Sequence, residues 1–150
     1  MFIRPVDQED VDKIAAIEEG GPSPWSKVLI ESELRCSTGI QIAAFTSTDF
    51  EIVGWCCARF IEPEAELLKI ATSRYHRRKG IATQLLQELF GLCRKNKCCK
   101  LFLEVREQND AALSLYTTLG FTMHSRRDNY YHSPTDNCLV LIKHIDDSNI

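Results

Sequence analysis

Arg77-Arg78-Lys79-Gly80 sets three cations and a glycine directly before an amphipathic run that opens Ile81-Ala82-Thr83. That combination suits an anion. The first N–H groups of a helix have no intrahelical acceptor, and the helix dipole favours negative charge beyond them. Gly80 removes the side chain that would hold a phosphate away from the backbone, Ala82 is nearly as small, and Arg77, Arg78 and Lys79 add charge. Neither the Gly-x-x-x-x-Gly-Lys-Ser/Thr order of a nucleoside-triphosphate loop nor the Gly-x-Gly-x-x-Gly order of a dinucleotide fold is present, so the phosphate belongs to another ligand. Taken alone, the turn also reads as an ordinary helix start with solvated cations.

Other side chains could carry chemistry beside it. Glu104 closes a strand otherwise rich in Leu, Phe and Val, where a carboxylate is either a paired structural acid or a proton acceptor. Tyr116 stands in line with Ala112, Leu115 and Leu119, where both a core tyrosine and a proton donor are open readings. Asn109 reads as a helix cap. Trp25 after Pro24 and the Tyr130-Tyr131 pair read as ordinary packing or as an aromatic wall.

These residues need elements to hold them. Phe2–Pro5 predicts a short strand, and Asp7 is placed to cap a helix through Val11, Ile14, Ala15 and Ile17, which Gly20-Gly21-Pro22-Ser23-Pro24 stops. Ser26 caps a second helix to Arg35. Gln41–Thr46 and Ile52–Phe60 form an antiparallel hairpin about Ser47-Thr48-Asp49. Glu66–Thr72 is the next strand, and Gly80–Lys97 a long helix with Ile81, Leu85, Leu86, Leu89, Phe90 and Cys93 on one face. Lys100–Val105 is a short apolar strand, Asn109 opens a helix that stops at Gly120, and Thr122–Arg127 and Cys138–His144 are the last strands. The expected class is α/β in the α+β sense, one domain over residues 1–150, with a mixed sheet of about seven strands and helices on both faces.

Composition narrows the function. At 44% hydrophobic and 26% charged residues the chain can bury a core. The start MFIRPVDQED holds no apolar signal core and no long apolar run follows, so neither secretion nor membrane spanning is expected, and the cytoplasm is. Seven cysteines, without Cys-x-x-Cys or histidines at ligand spacing, predict free buried thiols and no metal site. Residues 1–66 hold thirteen acids against five bases, and residues 67–150 hold thirteen bases against eight acids. That asymmetry is either two solvated faces or an anion site in the second half with a cation-attracting surface in the first.

Leu101-Phe102-Leu103-Glu104-Val105-Arg106, Asn109 and Leu119-Gly120-Phe121, together with Arg77, Gly80 and Ala82 at the spacing Arg/Gln-x-x-Gly-x-Gly/Ala, resemble the signature of the GNAT superfamily of N-acetyltransferases. Ile70-Ala71-Thr72, Asn129-Tyr130-Tyr131 and Pro24-Trp25-Ser26 are similar to its RimI-type branch, which acetylates the N-terminal alanine of a ribosomal protein. The resemblance implies the GNAT acyltransferase fold, mostly antiparallel with a central parallel pair and about four helices. It implies acetyl-coenzyme A as cosubstrate, held by Arg77, Arg78, Lys79, Gly80, Ile81, Ala82 and Thr83 at its pyrophosphate, and by Ile70, Ala71, Thr72 and Asn109 along its pantetheine arm. Glu104 would be the base, because an amine attacks a thioester only as the free base. Tyr116 would protonate the departing thiolate, and Trp25, Tyr130 and Tyr131 would line the peptide site. The expected acceptor is a protein N-terminus, most closely that of small ribosomal subunit protein eighteen, with no direct nucleic-acid contact; a small-molecule amine or another N-terminus is the same-fold alternative, and a non-catalytic coenzyme-A-binding module, against which Glu104 and Tyr116 argue, is the alternative of another class. Two departures leave peptide preference open: Asp128 stands where a basic residue is usual, and Asp136-Asn137-Cys138 replaces an acidic-acidic-Ala run.

Overall fold

Two of the four helices begin at a side-chain cap and one at a glycine. A computed structural model describes residues 1–146; the remainder of the expected domain, 147–150, lies outside the described residues. In chain order the elements are β1 (Phe2–Pro5), α1 (Val11–Glu19), α2 (Lys27–Leu34), β2 (Gly39–Phe45), β3 (Ile52–Ile61), β4 (Glu64–Thr72), α3 (Ile81–Lys95), β5 (Lys100–Arg106), α4 (Asp110–Thr118), β6 (Thr122–Tyr131) and β7 (Asp136–His144). The Ser26 hydroxyl accepts from the Leu29 N–H at 3.2 Å and the Asn109 side chain from the Ala112 N–H at 3.2 Å, so both cap as expected. Asp7 differs. It caps a 3₁₀ turn, Gln8–Asp10, in a reciprocal box in which the Asp7 N–H donates to Asp10, and α1 starts only at Val11.

The sheet runs β1-β2-β3-β4-β5-β7-β6, and every pairing is antiparallel except β4 with β5. That parallel register lasts only from Glu64↔Lys100 to Leu67↔Leu103. Beyond it β4 stays with β3, as in Cys56↔Ile70 and Gly54↔Thr72, while β5 stays with β7, as in Glu104↔Val140. The two strands therefore part after Leu67 and Leu103, leaving the edge of Leu68–Thr72 facing a gap. A bulge in β4 at Leu68, between the pairs Cys57↔Lys69 and Ala58↔Leu67, lies at the same level and adds the local bend that such bulges produce.

Two apolar clusters cover the sheet. On one face Leu85, Leu86 and Leu89 of α3 and Tyr116 of α4 pack on Leu101, Leu103 and Val105 of β5. On the other, Ile14 of α1 and Ile30 of α2 pack on Ala43, Phe45 and Trp55. The helices α1 and α2 thus sit over β2–β4, while β6, at the sheet edge, is exposed along its length as far as Tyr130. It reaches Tyr131 rather than ending at Arg127, so Tyr130 and Tyr131 are strand residues.

The thiols are all free, and five are buried; Cys36 is half-buried and Cys99 exposed, which departs from a wholly buried set. The acidic surplus of the first half is partly internal, since Asp10, Glu18 and Glu33 are buried counter-ions of Arg4, Lys69 and Arg59. Among the described residues no helix is long and apolar enough to cross a membrane, and no cluster of potential metal ligands occurs.

Candidate active site

Gly80 precedes α3 with φ +78°, the left-handed region that glycine enters without strain, and a Cβ built there would meet nothing within 4 Å. Arg78, two residues earlier, is also left-handed at φ 62°. The first backbone bond of the helix runs from the Gln84 N–H to the Gly80 carbonyl at 3.0 Å, which leaves the N–H groups of Ile81, Ala82 and Thr83 without helical acceptors. They border a cleft of about 270 Å³ with Thr72, Arg77, Arg78 and Gly80. Opposite, α4 supplies Ala111 and Leu115, and the floor includes His76, whose Nδ1 is buried without a hydrogen-bond partner. An open glycine face, unpaired amides and an orphaned ring nitrogen together fit a phosphate-bearing ligand.

Other sequence candidates turn from that cleft or lie outside it. Lys79 is exposed beside it. The Arg77 guanidinium turns away to donate to the Gly20 carbonyl at 3.3 Å, so Arg77 borders the cleft while its charge serves the α1–α2 loop. Ile70 and Ala71 lie on the edge of β4 that β5 has left. Asn109 spends its side-chain oxygen on the cap.

The strand period then decides where Glu104 and Tyr116 stand. Leu101, Leu103 and Val105 enter the α3/α4 cluster together with Tyr116, so Glu104 projects from the opposite face of the sheet. Its carboxylate is 31% exposed and accepts from Arg127 of β6 at 3.2 Å. Tyr116 is 7% exposed, and its ring lies edge-on to Phe121 at 5.4 Å. Burial, with a smaller effect from Cys56, pushes its pKa up to about 12, so it holds its proton at neutral pH.

A family model described as the acetyltransferase (GNAT) family matches residues 12–121. The chain belongs to the GNAT family. It is an N-acetyltransferase, and acetyl-coenzyme A is the acyl donor of GNAT enzymes. The GNAT chain is 32% identical over 109 residues to the [ribosomal protein bS18]-alanine N-acetyltransferase of Escherichia coli K12, covering 72% of this chain and 71% of that one. The crystal structure of the ribosomal-protein-S18-alanine N-acetyltransferase from Escherichia coli superimposes with a TM-score of 0.89 at 25% identity, over 99% of this chain and 97% of that one. A NatC complex bound to Gag peptide and CoA shares the fold at TM-score 0.81 and 20% identity, over 97% and 98% of the two chains.

Around Glu104, the GNAT domain gathers an open aromatic and cationic surface. The Arg127 guanidinium lies 5.4 Å from the Tyr130 ring centroid, Tyr130 meets Tyr131 edge-on at 5.1 Å, and Arg106 stacks 4.4 Å from Tyr131. Trp25 lies elsewhere on the same face, edge-on to Trp55 at 5.6 Å and packed, like Leu68 and Ala71, against the cluster around Trp55. The structure therefore joins Tyr130 and Tyr131 to Glu104 through Arg127, and joins Trp25 to β3 and β4. His76, Ala111, Leu115 and Arg127 were not among the sequence candidates. His76 directly precedes the basic turn and could have been included; the contact of Arg127 with Glu104 depends on a long-range register that local pattern does not encode.

Proposed function

We propose that this GNAT enzyme transfers acetyl from acetyl-coenzyme A directly to the α-amine of a protein N-terminus, with the N-terminal alanine of ribosomal protein bS18 as acceptor. The observation that carries the reading is that Glu104 directly follows the last residue of β5 paired with β4, with Tyr116 packed on the opposite face of the sheet. The donor supplies an acetyl group activated as a thioester. The edge of Ile70–Thr72 offers backbone N–H and C=O groups to its arm in the manner of an added strand, and the turn at Gly80 with the amides of Ile81–Thr83 receives its pyrophosphate. Glu104 takes the proton of the attacking amine on the open face. Tyr116 gives its proton to the departing thiolate on the other.

Direct transfer is supported by the state of the buried thiols. Burial pushes Cys57 and Cys93 up to about 12 and raises Cys56 further, which leaves them as neutral, poorly nucleophilic groups. The similarity to the Escherichia coli enzymes supports this acceptor, and a ribosomal-protein acceptor is in keeping with a reaction in the cytoplasm. Mass spectrometry of a peptide panel tests it: the bS18 N-terminal peptide, alanine-first and non-alanine-first controls, spermidine and an aminoglycoside. Acetylation at the α-amine of the bS18 peptide ahead of the controls is expected. A preference for the small amines would overturn the acceptor.

A further inference from the structure

Glu18, in the last turn of α1, is a fully buried carboxylate, its side chain 0% exposed. That position is doubly unfavourable, since a buried charge is costly and the C-terminal turn of a helix is already negative. Its contacts explain it. Oε1 accepts from the Trp25 backbone N–H at 3.0 Å and lies 3.2 Å from Lys69 Nζ, while Oε2 accepts from the Trp55 indole N–H at 2.9 Å. Lys69 also donates to the Ser23 carbonyl at 2.8 Å, and it stands on the stretch of β4 that has left β5. The loop between α1 and α2, with Gly20, Gly21 and two prolines, has little local structure of its own. It is fastened at Ser23 and Trp25 by this pair, and at Gly20 by Arg77 of the phosphate turn.

We propose that Glu18 and Lys69 are positioning residues for the acceptor: they lock the Trp25 loop to the strand whose free edge takes the donor, and so set where an incoming N-terminus can lie. This rests on the reading that the loop borders the acceptor path. An apolar pair of similar volume would serve packing as well as the ion pair does or better, but could not hold two backbone groups of a loop.

Glu18→Gln turns an amide donor toward groups that all donate, so the acceptor KM should rise about tenfold, with kcat and the acetyl-coenzyme A KM within about twofold of wild type. Trp25 and Trp55 are the only two tryptophans, so a shift in intrinsic emission should accompany that rise. Lys69→Arg should restore most of the acceptor affinity that Lys69→Met loses. The double variant Glu18→Leu/Lys69→Met removes both charges together and guards against a variant that merely fails to fold; it should remain folded with acceptor KM still raised. Wild-type acceptor KM in that folded double variant would overturn the proposal. If wild type binds coenzyme A yet acetylates no peptide, the acceptor reading itself falls, an outcome visible before any variant is made.

Discussion

Replacing Gly80 separates two effects that a side chain would have on the phosphate turn. At φ +78° an L-residue incurs roughly 1–2 kcal/mol of left-handed strain, while the absence of any atom within 4 Å of its Cβ means that nothing has to move. Gly80→Ala should therefore fold, with Tm lowered by roughly 2–8 °C for a domain of this size. Asparagine tolerates the left-handed region, so Gly80→Asn should lose less stability than the alanine variant, yet its larger side chain projects into the space where the anion must approach Ile81–Thr83. Displacing one amide–phosphate contact, a hydrogen bond to a charged group, costs about 1.5–3 kcal/mol, or about 10- to 100-fold in coenzyme A affinity. The two orders should thus cross: asparagine above alanine in Tm, below it in affinity. Scanning fluorimetry and titration calorimetry with coenzyme A measure both. Wild-type affinity in a folded Gly80→Asn protein would remove the turn from the donor site.

Three further outcomes are expected. Glu104→Gln should lower kcat with little change in coenzyme affinity, and the deficit should narrow as pH approaches the α-amine's own pKa of about 8, read from pH–rate profiles. Tyr116→Phe keeps the packing and loses the donor, so its deficit should persist at high pH and ease with acyl donors whose thiols leave readily; because burial holds Tyr116 at about 12, the wild-type rate should show no fall from this group up to about pH 10. Burial raises Cys57 and Cys93 from 9.0 to about 12, so their protons bind more tightly in the folded state; the stability this supplies is complete below pH 9 and drains as pH climbs toward 12, each pH step of one removing at most about 1.4 kcal/mol per thiol. Thermal melts from about pH 7 to about pH 11 should record that decline, and Cys57→Val with Cys93→Val should lessen it, the buried Cys56 supplying part of what remains.

Local chemistry made much of the fold legible. The apolar face Ile81, Leu85, Leu86, Leu89, Phe90 and Cys93 is buried as its 3.6-residue spacing requires, and Ser26 and Asn109 cap where short polar side chains precede periodic runs. The GNAT resemblance, carried by Arg77, Gly80 and Ala82 with Leu119-Gly120-Phe121, agrees with the family match over residues 12–121. What stayed hidden is non-local. Nothing in Glu64–Leu67 or Lys100–Leu103 announces that their parallel pairing stops there, because strand register is a property of two segments. The Arg77 side chain could not be followed to Gly20, fifty-seven residues away, and the acidic first half read as surface because burial of Asp10, Glu18 and Glu33 depends on partners from distant elements.

The alternation of side chains along β5 has a consequence for how such an enzyme can change. Residues pointing into the α3/α4 cluster support the donor side, and those between them, Phe102, Glu104 and Arg106, face the open side shared with β6. Because the two sets point to opposite faces of one strand, a substitution in one set leaves the side-chain packing of the other face in place. On the proposed reading, a lineage or a selection experiment would retune which amine is taken by editing Arg106, Arg127, Tyr130 and Tyr131, leaving the grip on the acyl carrier to the other face.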